Sequence, residues 1–357
     1  MRWLVPIRGL ADGNVPFGIY EPWRWRARMF KFVMARALRH GWRGRTRNRL
    51  GIPQRQLEPL RRMVKDSTGR EASLFSMAVG ADNRVAKVTI QALDGEGRTL
   101  GFFKMGLTPA AERRVRHEAE MLNRLAAAPA LSGRIPAALA TGTWNGRYVL
   151  LQSPVGEQRG PERFLREHER FLETLQQVAP SARRADELVE EVEARWARAA
   201  FLAPASWRIT VSAALDRAWR LLDHEPVACG PAHGDFAPWN TRWASGRIAA
   251  FDWELAEWNA PAGWDRLHFL VQWDCLVHPH WRPERVLGEV CEDDRSTALA
   301  LLYLVRSASR LAEEGIPWGD PSMRYRKQAL ELLIGGGTPG TVRPVSRRLW
   351  SGWGWRR

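Results

Sequence analysis

The sequence predicts an α+β protein of two lobes, in which a small β-rich lobe with one helix precedes a larger, mostly helical lobe. Two observations carry this prediction. Strand-like runs separated by turn residues occupy 72–105, and helical patterns rich in Leu, Glu and Arg occupy 161–224, 296–315 and 321–334. We therefore divide the chain into a basic N-terminal extension, a β-rich lobe, a helical lobe and a basic tail, at 1–65, 66–153, 154–335 and 336–357.

The β-rich lobe is predicted from three runs, "SLFSMAVG", "RVAKVTIQAL" and "TLGFFKMG". The turn-forming "ADN" and "DGEG" separate them, so two consecutive hairpins are the simplest arrangement. The helical pattern "TPAAERRVRHEAEMLNRL" follows, with Thr108 as N-cap and Pro109 at the first helical position. A further buried strand at 147–153 ends at Pro154-Val155-Gly156, which we interpret as the hinge before the helical lobe.

The basic residues are concentrated at the two ends of the chain. Residues 1–65 contain 16 Lys and Arg against three acids, a net charge of +13. Residues 336–357 contain five Arg and no acid, and the net charge of the whole chain is +15, which leaves 66–335 at −3. The central domain is therefore mildly acidic, and any electrostatic attraction to an anionic partner is expected from the ends.

An amphipathic helix is predicted within the N-terminal extension. Residues 23–49 are rich in Arg and contain no acid, and an apolar stripe with helical spacing is formed by Phe30, Val33, Met34, Ala37 and Leu38. Such a helix can contact an anionic membrane surface, or it can cover part of the central domain. The sequence leaves both readings open.

Composition and cysteine placement favour a cytoplasmic globular protein. Apolar residues make up 45% of the chain and charged residues 26%. The three cysteines form no C-x-x-C pair, which disfavours a disulfide framework or a zinc site. The opening "MRWLVPIRGLADG" lacks the apolar run of a signal peptide, and no apolar run approaches the ~20 residues that span a bilayer. Peripheral contact with a membrane through the basic helix stays an alternative.

The clearest chemical pattern lies in "CGPAHGDFAPWNTRWASGRIAAFDWE", residues 229–254. Asp235 is followed five residues later by Asn240, and Asp252 ends the strand-like run "GRIAAF". Phosphoryl transfer needs a carboxylate that orients or deprotonates the attacking hydroxyl, and hard oxygen ligands that hold Mg²⁺ against the phosphates. The first spacing matches the protein-kinase catalytic loop H-R-D-x-x-x-x-N, so this stretch supplies candidates for both tasks.

Phosphate binding in such a reaction also needs a lysine and a glutamate that holds it. Lys104 ends the strand-like "TLGFFK", and Glu118 follows fourteen residues later in the predicted helix. Lysine is rare here, with five residues beside 49 Arg, so a Lys in an apolar strand indicates a specific role. Lys87, in the preceding strand, is expected to face solvent rather than to act as a second phosphate ligand. The chain has no G-x-x-x-x-G-K-[ST] phosphate loop.

The chain resembles the aminoglycoside phosphotransferase and choline kinase family, small-molecule kinases that share the protein-kinase fold. Its "HGDFAPWN" resembles the family's H-G-D-x-x-x-x-N, "FDWE" its metal-binding Asp, and "RHEAEMLNRL" its Glu-bearing helix. The resemblance implies Asp235 as the catalytic base and Asn240 and Asp252 as Mg²⁺ ligands. It also implies that Lys104 and Glu118 form the pair that holds the nucleotide phosphates.

The resemblance covers roughly 70–335 and also implies where the nucleotide binds. The hinge from Gln152 to Val155 would present backbone groups to the adenine. The family's Gly-rich loop is reduced here to "VGADNR", in which Gly80 is the single clear glycine. Glu120 is an alternative to Glu118 as the partner of the lysine.

Three polar residues close to these motifs receive different expectations. His233 is expected to hydrogen-bond the backbone of the catalytic loop rather than act as a base. Asp265, in "GWDRLHF", is expected to steady the same loop by hydrogen bonds. Glu254 either approaches the metal or faces solvent, and the sequence leaves this open.

Together the motifs predict an ATP- or GTP-dependent phosphotransferase that uses Mg²⁺ and acts on a hydroxyl of a small molecule. A sugar or an amino-alcohol-like compound is favoured. An aminoglycoside-resistance kinase is a weaker alternative, because a central charge of −3 is not the strongly acidic trap that these polycations favour. A pseudokinase that keeps the fold as a binding module is a second alternative. Nucleic-acid binding is disfavoured, because the basic ends carry no motif of a known reader.

Overall fold

The computed structural model describes residues 2–4, 25–39, 52–80, 84–156, 158–222, 225–278 and 280–335. The basic tail predicted at 336–357 lies outside these ranges, as do 5–24 and 40–51 of the predicted extension. The helices in the described ranges are α1 Trp25–Arg39, α2 Gln54–Thr68, α3 Pro109–Leu125, α4 Arg166–Gln176, α5 Ala185–Ala200, α6 Ala205–Leu221, α7 Trp264–Gln272, α8 Pro283–Val290, α9 Asp294–Glu313 and α10 Pro321–Ile334.

The strands in the same ranges are β1 Arg2–Leu4, β2 Leu74–Val79, β3 Lys87–Leu93, β4 Thr99–Gly106, β5 Ala138–Trp144, β6 Arg147–Gln152, β7 Gln158–Arg159, β8 Ser181–Arg183, β9 Val227–Ala232, β10 Thr241–Ala244, β11 Arg247–Ala250 and β12 Glu257–Pro261. Six of them form one antiparallel sheet with the order β1-β2-β3-β4-β6-β5. The two hairpins predicted from the strand-like runs are the central β2-β3-β4 part of this sheet.

The turn between β3 and β4 is fixed by one buried aspartate. The Asp94 carboxylate accepts hydrogen bonds from the backbone N–H groups of Glu96 and Arg98 at 3.0 and 2.8 Å. It also pairs with the guanidinium groups of Arg70 and Arg98 at 2.6 and 2.8 Å. An Asp that bonds its own turn in this way stabilises a tight reversal, so "DGEG" sets the register of the hairpin.

One face of the six-stranded sheet packs into an apolar core. Side chains that alternate along the strands, such as Val88, Ile90, Phe103 and Met105, pack against α2 in a shared core. The helix contributes the spaced apolar residues Leu57, Leu60 and Val64 to this core. Residues 54–68, placed by sequence largely in the basic extension, are therefore a second helix of the β-rich part of the molecule, beside the predicted α3.

Helix α3 begins where the sequence predicts. Thr108 is its N-cap, and the hydroxyl accepts a hydrogen bond from the Ala111 N–H at 3.1 Å, while Pro109 occupies the first helical position. The buried residues of α3 include Val115, Leu122 and also Glu118, the one charged side chain buried in this helix. The helix thus delivers a carboxylate into the interior of the β-rich part.

The described residues group into two compact units whose boundaries differ from the predicted lobes. The described residues within 1–181 and 229–269 form one unit, and those within 182–228 and 270–335 form the other. The predicted boundary at 153/154 falls within the first unit. The reason is that 158–159, 229–232, 241–244, 247–250 and 257–261 are short strands rather than part of a helical lobe: β7 pairs with β10, β10 with β11, and β9 with β12.

The second unit is built from helices. Its charged contacts include Arg195 and Arg198 with Glu313 at 3.1 and 3.4 Å, and its aromatic contacts include Trp318 with Trp196 and Trp207. Among the helices of the described ranges, none combines the length and the apolar character needed to cross a bilayer.

Candidate active site

The loop His233-Gly234-Asp235 leaves the end of β9 and is held by a buried carboxylate. Asp265, at the start of α7, accepts hydrogen bonds from the N–H groups of His233 and Gly234 at 2.6 and 2.9 Å. Gly234 has φ +75°, and a Cβ there would lie 1.9 Å from the Leu255 carbonyl oxygen. The loop needs glycine because it turns left-handed while pressed against the segment after Asp252.

Asp235 is oriented by two side chains. Its Oδ2 accepts a hydrogen bond from the Asn240 amide nitrogen at 2.9 Å, and the same nitrogen bonds the Asp235 carbonyl oxygen at 2.9 Å. Its Oδ1 lies 3.0 Å from Nε2 of His268, a buried residue one helical turn after Asp265. The Asp235 side chain is 25% exposed, so the carboxylate is fixed in position and still accessible.

His233 has the structural role expected from the sequence. Its Nε2 donates to the Phe251 carbonyl oxygen at 3.0 Å, and its Nδ1 accepts from the Asp235 N–H at 3.3 Å. The ring also packs on Trp253, with a distance of 4.6 Å between ring centroids. Burial lowers the pKa of His233, and the two hydrogen bonds hold the neutral tautomer that carries its proton on Nε2. The ring therefore joins the Asp235 loop to the Asp252 loop.

Asp252 follows β11 in an unusual backbone conformation. Its φ is +72°, a left-handed value that a non-glycine residue rarely adopts. Oδ1 of Asp252 lies 2.6 Å from the Lys104 Nζ. Strained backbone at a residue of this kind is held by the surrounding structure, and such strain is concentrated at functional sites.

Lys104 and Glu118 form a buried ion pair. Nζ of Lys104, on β4, lies 2.6 and 2.8 Å from the two carboxylate oxygens of Glu118. The Trp253 N–H donates to the same Glu118 carboxylate at 3.1 Å, which ties α3 to the segment after Asp252. Glu120, the alternative partner, is exposed. Among the two glutamates that the sequence offered, the helix phase thus turns Glu118 toward the lysine.

Lys87 does not face solvent, contrary to the expectation from sequence. Its Nζ lies 2.9 Å from Oδ1 of Asp252 and 2.7 Å from Oε2 of Glu254. Glu254, whose orientation the sequence left open, points into this cluster and also lies 3.6 Å from the Arg114 guanidinium. The expectation was wrong because β3 exposes Lys87 on the face of the sheet opposite to its apolar core, and that face carries the charged cluster.

The charges in this cluster stabilise one another. Burial alone would raise the pKa of the Asp252 carboxyl, but the ammonium groups of Lys104 and Lys87 outweigh it and hold that pKa far below its usual range. Burial alone would likewise lower the pKa of Lys87, yet Asp252 and Glu254 hold it above its ordinary value. At Asp265 burial prevails and raises the pKa to about 7, against the two backbone N–H groups that favour the charged form.

The residues fit a hard divalent cation. Carboxylate oxygens of Glu118, Asp252 and Glu254 lie within 4.8 Å of one another. The amide nitrogen of Asn240 bonds Asp235, which leaves its amide oxygen as the atom that a cation would bind. Carboxylate and amide oxygens are the ligand types that Mg²⁺ prefers.

The residues expected to contact the nucleotide lie around the same sheet. Gly80 follows β2, and its N–H donates to the Lys87 carbonyl oxygen at 2.8 Å, so this pair closes the loop in which 81–83 lie outside the described residues. Gln152 is buried at the end of β6, and Val155 lies in the coil that follows. The hinge segment is held by the Ser153 N–H, which donates to the Ala137 carbonyl oxygen at 2.9 Å.

Comparison with known proteins assigns the family. Residues 78–287 match the family model described as the phosphotransferase enzyme family, APH. The chain belongs to this family. The matched region spans more than half of the 357 residues. It contains all the residues of the candidate site, from Gly80 to His268.

Solved structures of the phosphotransferase family share the fold. A thermostable mutant of aminoglycoside phosphotransferase APH(4)-Ia in its apo form is 15% identical, with 79% of this chain and 100% of that chain covered and a TM-score of 0.55. A ternary complex of this thermostable enzyme with AMP-PNP and hygromycin B is 14% identical, with 79% of this chain and 99% of that chain covered and a TM-score of 0.54. Choline kinase LicA from Streptococcus pneumoniae is 14% identical, with 79% of this chain and 99% of that chain covered and a TM-score of 0.51. These likenesses show the protein-kinase-like fold; no curated protein sequence matches this chain significantly.

Sequence reasoning missed two residues of the site. Lys87 could have been found from strand parity, because Val88 and Ile90 are the core-facing residues of β3 and Lys87 alternates with them. His268 offered a weaker signal, since its only mark in the sequence is that it stands three residues after Asp265 in a helical pattern. Nothing in that spacing indicates that its ring reaches Asp235.

Proposed function

We propose that this family member transfers the terminal phosphoryl group of ATP or GTP, with Mg²⁺, to a hydroxyl of a small molecule, and that the acceptor is a sugar or an amino-alcohol-like compound. The observation that carries the proposal is the pair of carboxylates at the site. Asp235 is oriented by Asn240 and His268, whereas Asp252 is neutralised by lysines. Two carboxylates in such different surroundings suit different tasks in one reaction.

Asp235 is proposed as the catalytic base. Its carboxylate is held by two hydrogen bonds and is partly exposed, so an acceptor hydroxyl can reach it. The hydroxyl proton moves to the Asp235 carboxylate as the hydroxyl oxygen forms a bond to the terminal phosphorus. The bond between that phosphorus and the bridging oxygen breaks, and the nucleoside diphosphate leaves with the electron pair.

The metal and the nucleotide are assigned to the remaining groups. Asn240 and Asp252 are proposed as the Mg²⁺ ligands, and the bound ion would neutralise charge on the phosphates. Lys104, held by Glu118, is proposed to contact the nucleotide phosphates. For the rest of the nucleotide, we propose contacts with the loop that starts at Gly80 and with backbone groups from Gln152 to Val155.

The acceptor proposal rests on charge. The central region 66–335 has a net charge of −3, which is too small to favour a polycation strongly. We therefore rank a neutral or singly charged acceptor above an aminoglycoside. A pseudokinase is the competing reading, and it would bind nucleotide poorly and turn over no acceptor.

The test is turnover of ATP and of GTP with Mg²⁺ against a panel of sugars, amino alcohols and aminoglycosides. We expect acceptor-dependent turnover by the wild type and its loss in Asp235→Asn. Asp216→Asn, on an exposed position of α6, is the matched control and is expected to keep full activity. No turnover together with no Mg²⁺-dependent nucleotide binding would favour the pseudokinase, whereas binding without turnover would mean that the panel lacks the right acceptor.

For helix α1 we propose contact with an anionic membrane surface. Four large apolar side chains on α1 are about half exposed: Met29 51%, Phe30 54%, Phe32 57% and Val33 55%. Arg36 lies among them at helical spacing and Arg28 lies at the edge of the same arc, whereas Lys31 lies on the opposite side of the helix. An exposed apolar arc with basic residues suits the interface of an anionic bilayer, where each Lys or Arg contributes about 1 kcal/mol.

Liposome flotation tests the membrane proposal. We expect the full-length protein to float with vesicles containing phosphatidylserine and not with vesicles of phosphatidylcholine alone. The double variant F30E/F32E should lose flotation, whereas Phe201→Glu, an exposed apolar residue outside α1, should not. Equal flotation of the double variant and the wild type would contradict the proposal. Substitution is preferable to truncation near residue 60, because such a truncation would cut α2 out of the core.

A further inference from the structure

Lys87 is a second, partly buried lysine in the charged cluster, in addition to the one that the family motif supplies. Its side chain is 23% exposed, and its ammonium group bridges Asp252 and Glu254 at 2.9 and 2.7 Å. The same Asp252 oxygen, Oδ1, also lies 2.6 Å from the Lys104 ammonium group. Two ammonium groups therefore converge on one carboxylate oxygen.

The sheet explains why the two lysines converge. In the β3-β4 register Thr89 stands opposite Lys104, and Lys87 stands opposite Gly106. Since side chains alternate along a strand, Lys87 shares the face of Thr89 and hence of Lys104, as its diagonal neighbour across the ladder. Val88 and Ile90 take the opposite face and fill the apolar core. The position of Lys87 is therefore built into the pairing of the strands.

A purely structural ion pair does not require this arrangement. Lys104 and Glu118 already form a closed buried pair, and two like charges beside one oxygen repel each other. The chain uses Arg for nearly all other cations, with 49 Arg and five Lys. A lysine is the compact, strongly hydrated cation that can exchange one oxygen partner for another.

The loop before Lys87 is poor in glycine. Kinases cover the nucleotide phosphates with a glycine-rich loop whose backbone N–H groups approach them closely. Here the segment between β2 and β3 reads "GADNRVA", with Gly80 as its one glycine, and the Gly80 N–H donates to the Lys87 carbonyl oxygen. Lys87 is the first residue of the strand that leaves this loop.

We propose that Lys87 is a second phosphate-binding lysine. It contacts the terminal phosphates of the nucleotide and so replaces part of the phosphate binding that the glycine-rich loop provides in other kinases. Without nucleotide its ammonium group is held by Asp252 and Glu254. With nucleotide it moves to a phosphate oxygen, which leaves the Asp252 carboxylate to the cation. Glu254 keeps a cationic neighbour after this exchange, because Arg114 lies 3.6 Å away. The inference rests on the proposed nucleotide-dependent function.

The test measures equilibrium binding of ATP, GTP, ADP and adenosine by calorimetry, with and without Mg²⁺, to wild type and to variants of Lys87. We expect Lys87→Met to weaken ATP binding by about 10–100-fold, as for the loss of a hydrogen bond between charged groups, and to leave adenosine binding unchanged. Lys87→Arg should restore part of the affinity for ATP. The matched control is Lys65→Met on α2, which breaks an exposed ion pair between Lys65 and Glu71. This variant should bind the same ligands like the wild type.

The comparison with adenosine separates the outcomes. Equal ATP affinity in wild type and Lys87→Met would overturn the role of Lys87 and leave the proposed function intact. A parallel loss of ATP and adenosine binding, with a lowered melting temperature, would also overturn it, because Lys87 would then only hold the cluster together. A wild type that binds neither ATP nor GTP would overturn both the proposed function and this inference.

Discussion

Gly234→Ala should be strongly destabilising for reasons that the backbone makes explicit. The φ of +75° costs an L-residue roughly 1–2 kcal/mol. The new Cβ would also lie 1.9 Å from the Leu255 carbonyl oxygen and 2.7 Å from its carbonyl carbon. These are backbone atoms that cannot rotate away, so the loop or the segment after Asp252 must move by more than about 1 Å, at a further cost of about 1–3 kcal/mol. We expect a total loss of about 2–5 kcal/mol.

Gly246 offers a matched control for this substitution. It has the same φ of +75° in the hairpin turn between β10 and β11, but an added Cβ there would meet nothing within 4 Å. Gly246→Ala should therefore show only the conformational cost of about 1–2 kcal/mol. The difference between the two variants isolates the close approach of Gly234 to Leu255.

The assay is urea unfolding followed by tryptophan fluorescence, for which the 19 tryptophans give a strong signal. Both variants and the wild type are compared at equal protein concentration, and the midpoint shift at constant slope gives the loss of stability. Equal destabilisation by Gly234→Ala and Gly246→Ala would refute the reasoning, because it would mean that the two loops are not pressed together at Gly234.

Three further predictions concern buried polar groups. Burial among aromatic rings lowers the pKa of His168 to about 4, so the stability that the neutral ring confers is complete above about pH 6.5 and is lost as the pH falls. Between pH 7 and 5 the wild type should therefore lose about 2 kcal/mol more stability than His168→Asn, as measured by urea unfolding at each pH. His268→Ala removes one of the two side-chain hydrogen bonds to Asp235 and should lower kcat about 10–100-fold, with little change in the KM for the nucleotide. His268→Gln should recover part of the lost kcat, and steady-state kinetics measures both effects. Glu118→Gln leaves its lysine with one carboxylate partner and should cost about 1–3 kcal/mol in urea, whereas the exposed Glu120→Gln should cost almost nothing.

Much of the β-rich part could be predicted because its signals are local. The turn "DGEG" and the cap at Thr108 act within a few residues, and β3, β4 and α3 lie within two or three residues of the predicted runs. Helix α2 was harder. Its apolar residues Leu57, Leu60 and Val64 have core spacing, but the six basic and acidic residues of the same helix obscured it. Packing against the sheet, which the sequence does not display, determines where this helix belongs.

The site shows the same limit. Lys104, Asp235 and Asp252 could be selected from the sequence, because their order and spacing resemble the pattern of the family's motifs. The inward orientation of Lys87 and the contact of His268 with Asp235 depend on which face of an element meets the site. That information is tertiary, and the alternation along β3 becomes decisive only once the sheet shows which face is apolar.

The long sequence separation within the charged cluster has a consequence for synthesis and folding. Lys87 and Glu254 are 167 residues apart, and Lys104 and Asp252 are 148 apart, with residues 182–228 of the other compact unit lying between them in the chain. On the ribosome Lys87 emerges well before its partners Asp252 and Glu254, whereas Lys104 can already pair with Glu118, so the early sheet has to keep the Lys87 ammonium group in water. We therefore expect the sheet to reach its final stability only after the chain has passed Glu254, which makes the site one of the last parts of the protein to form.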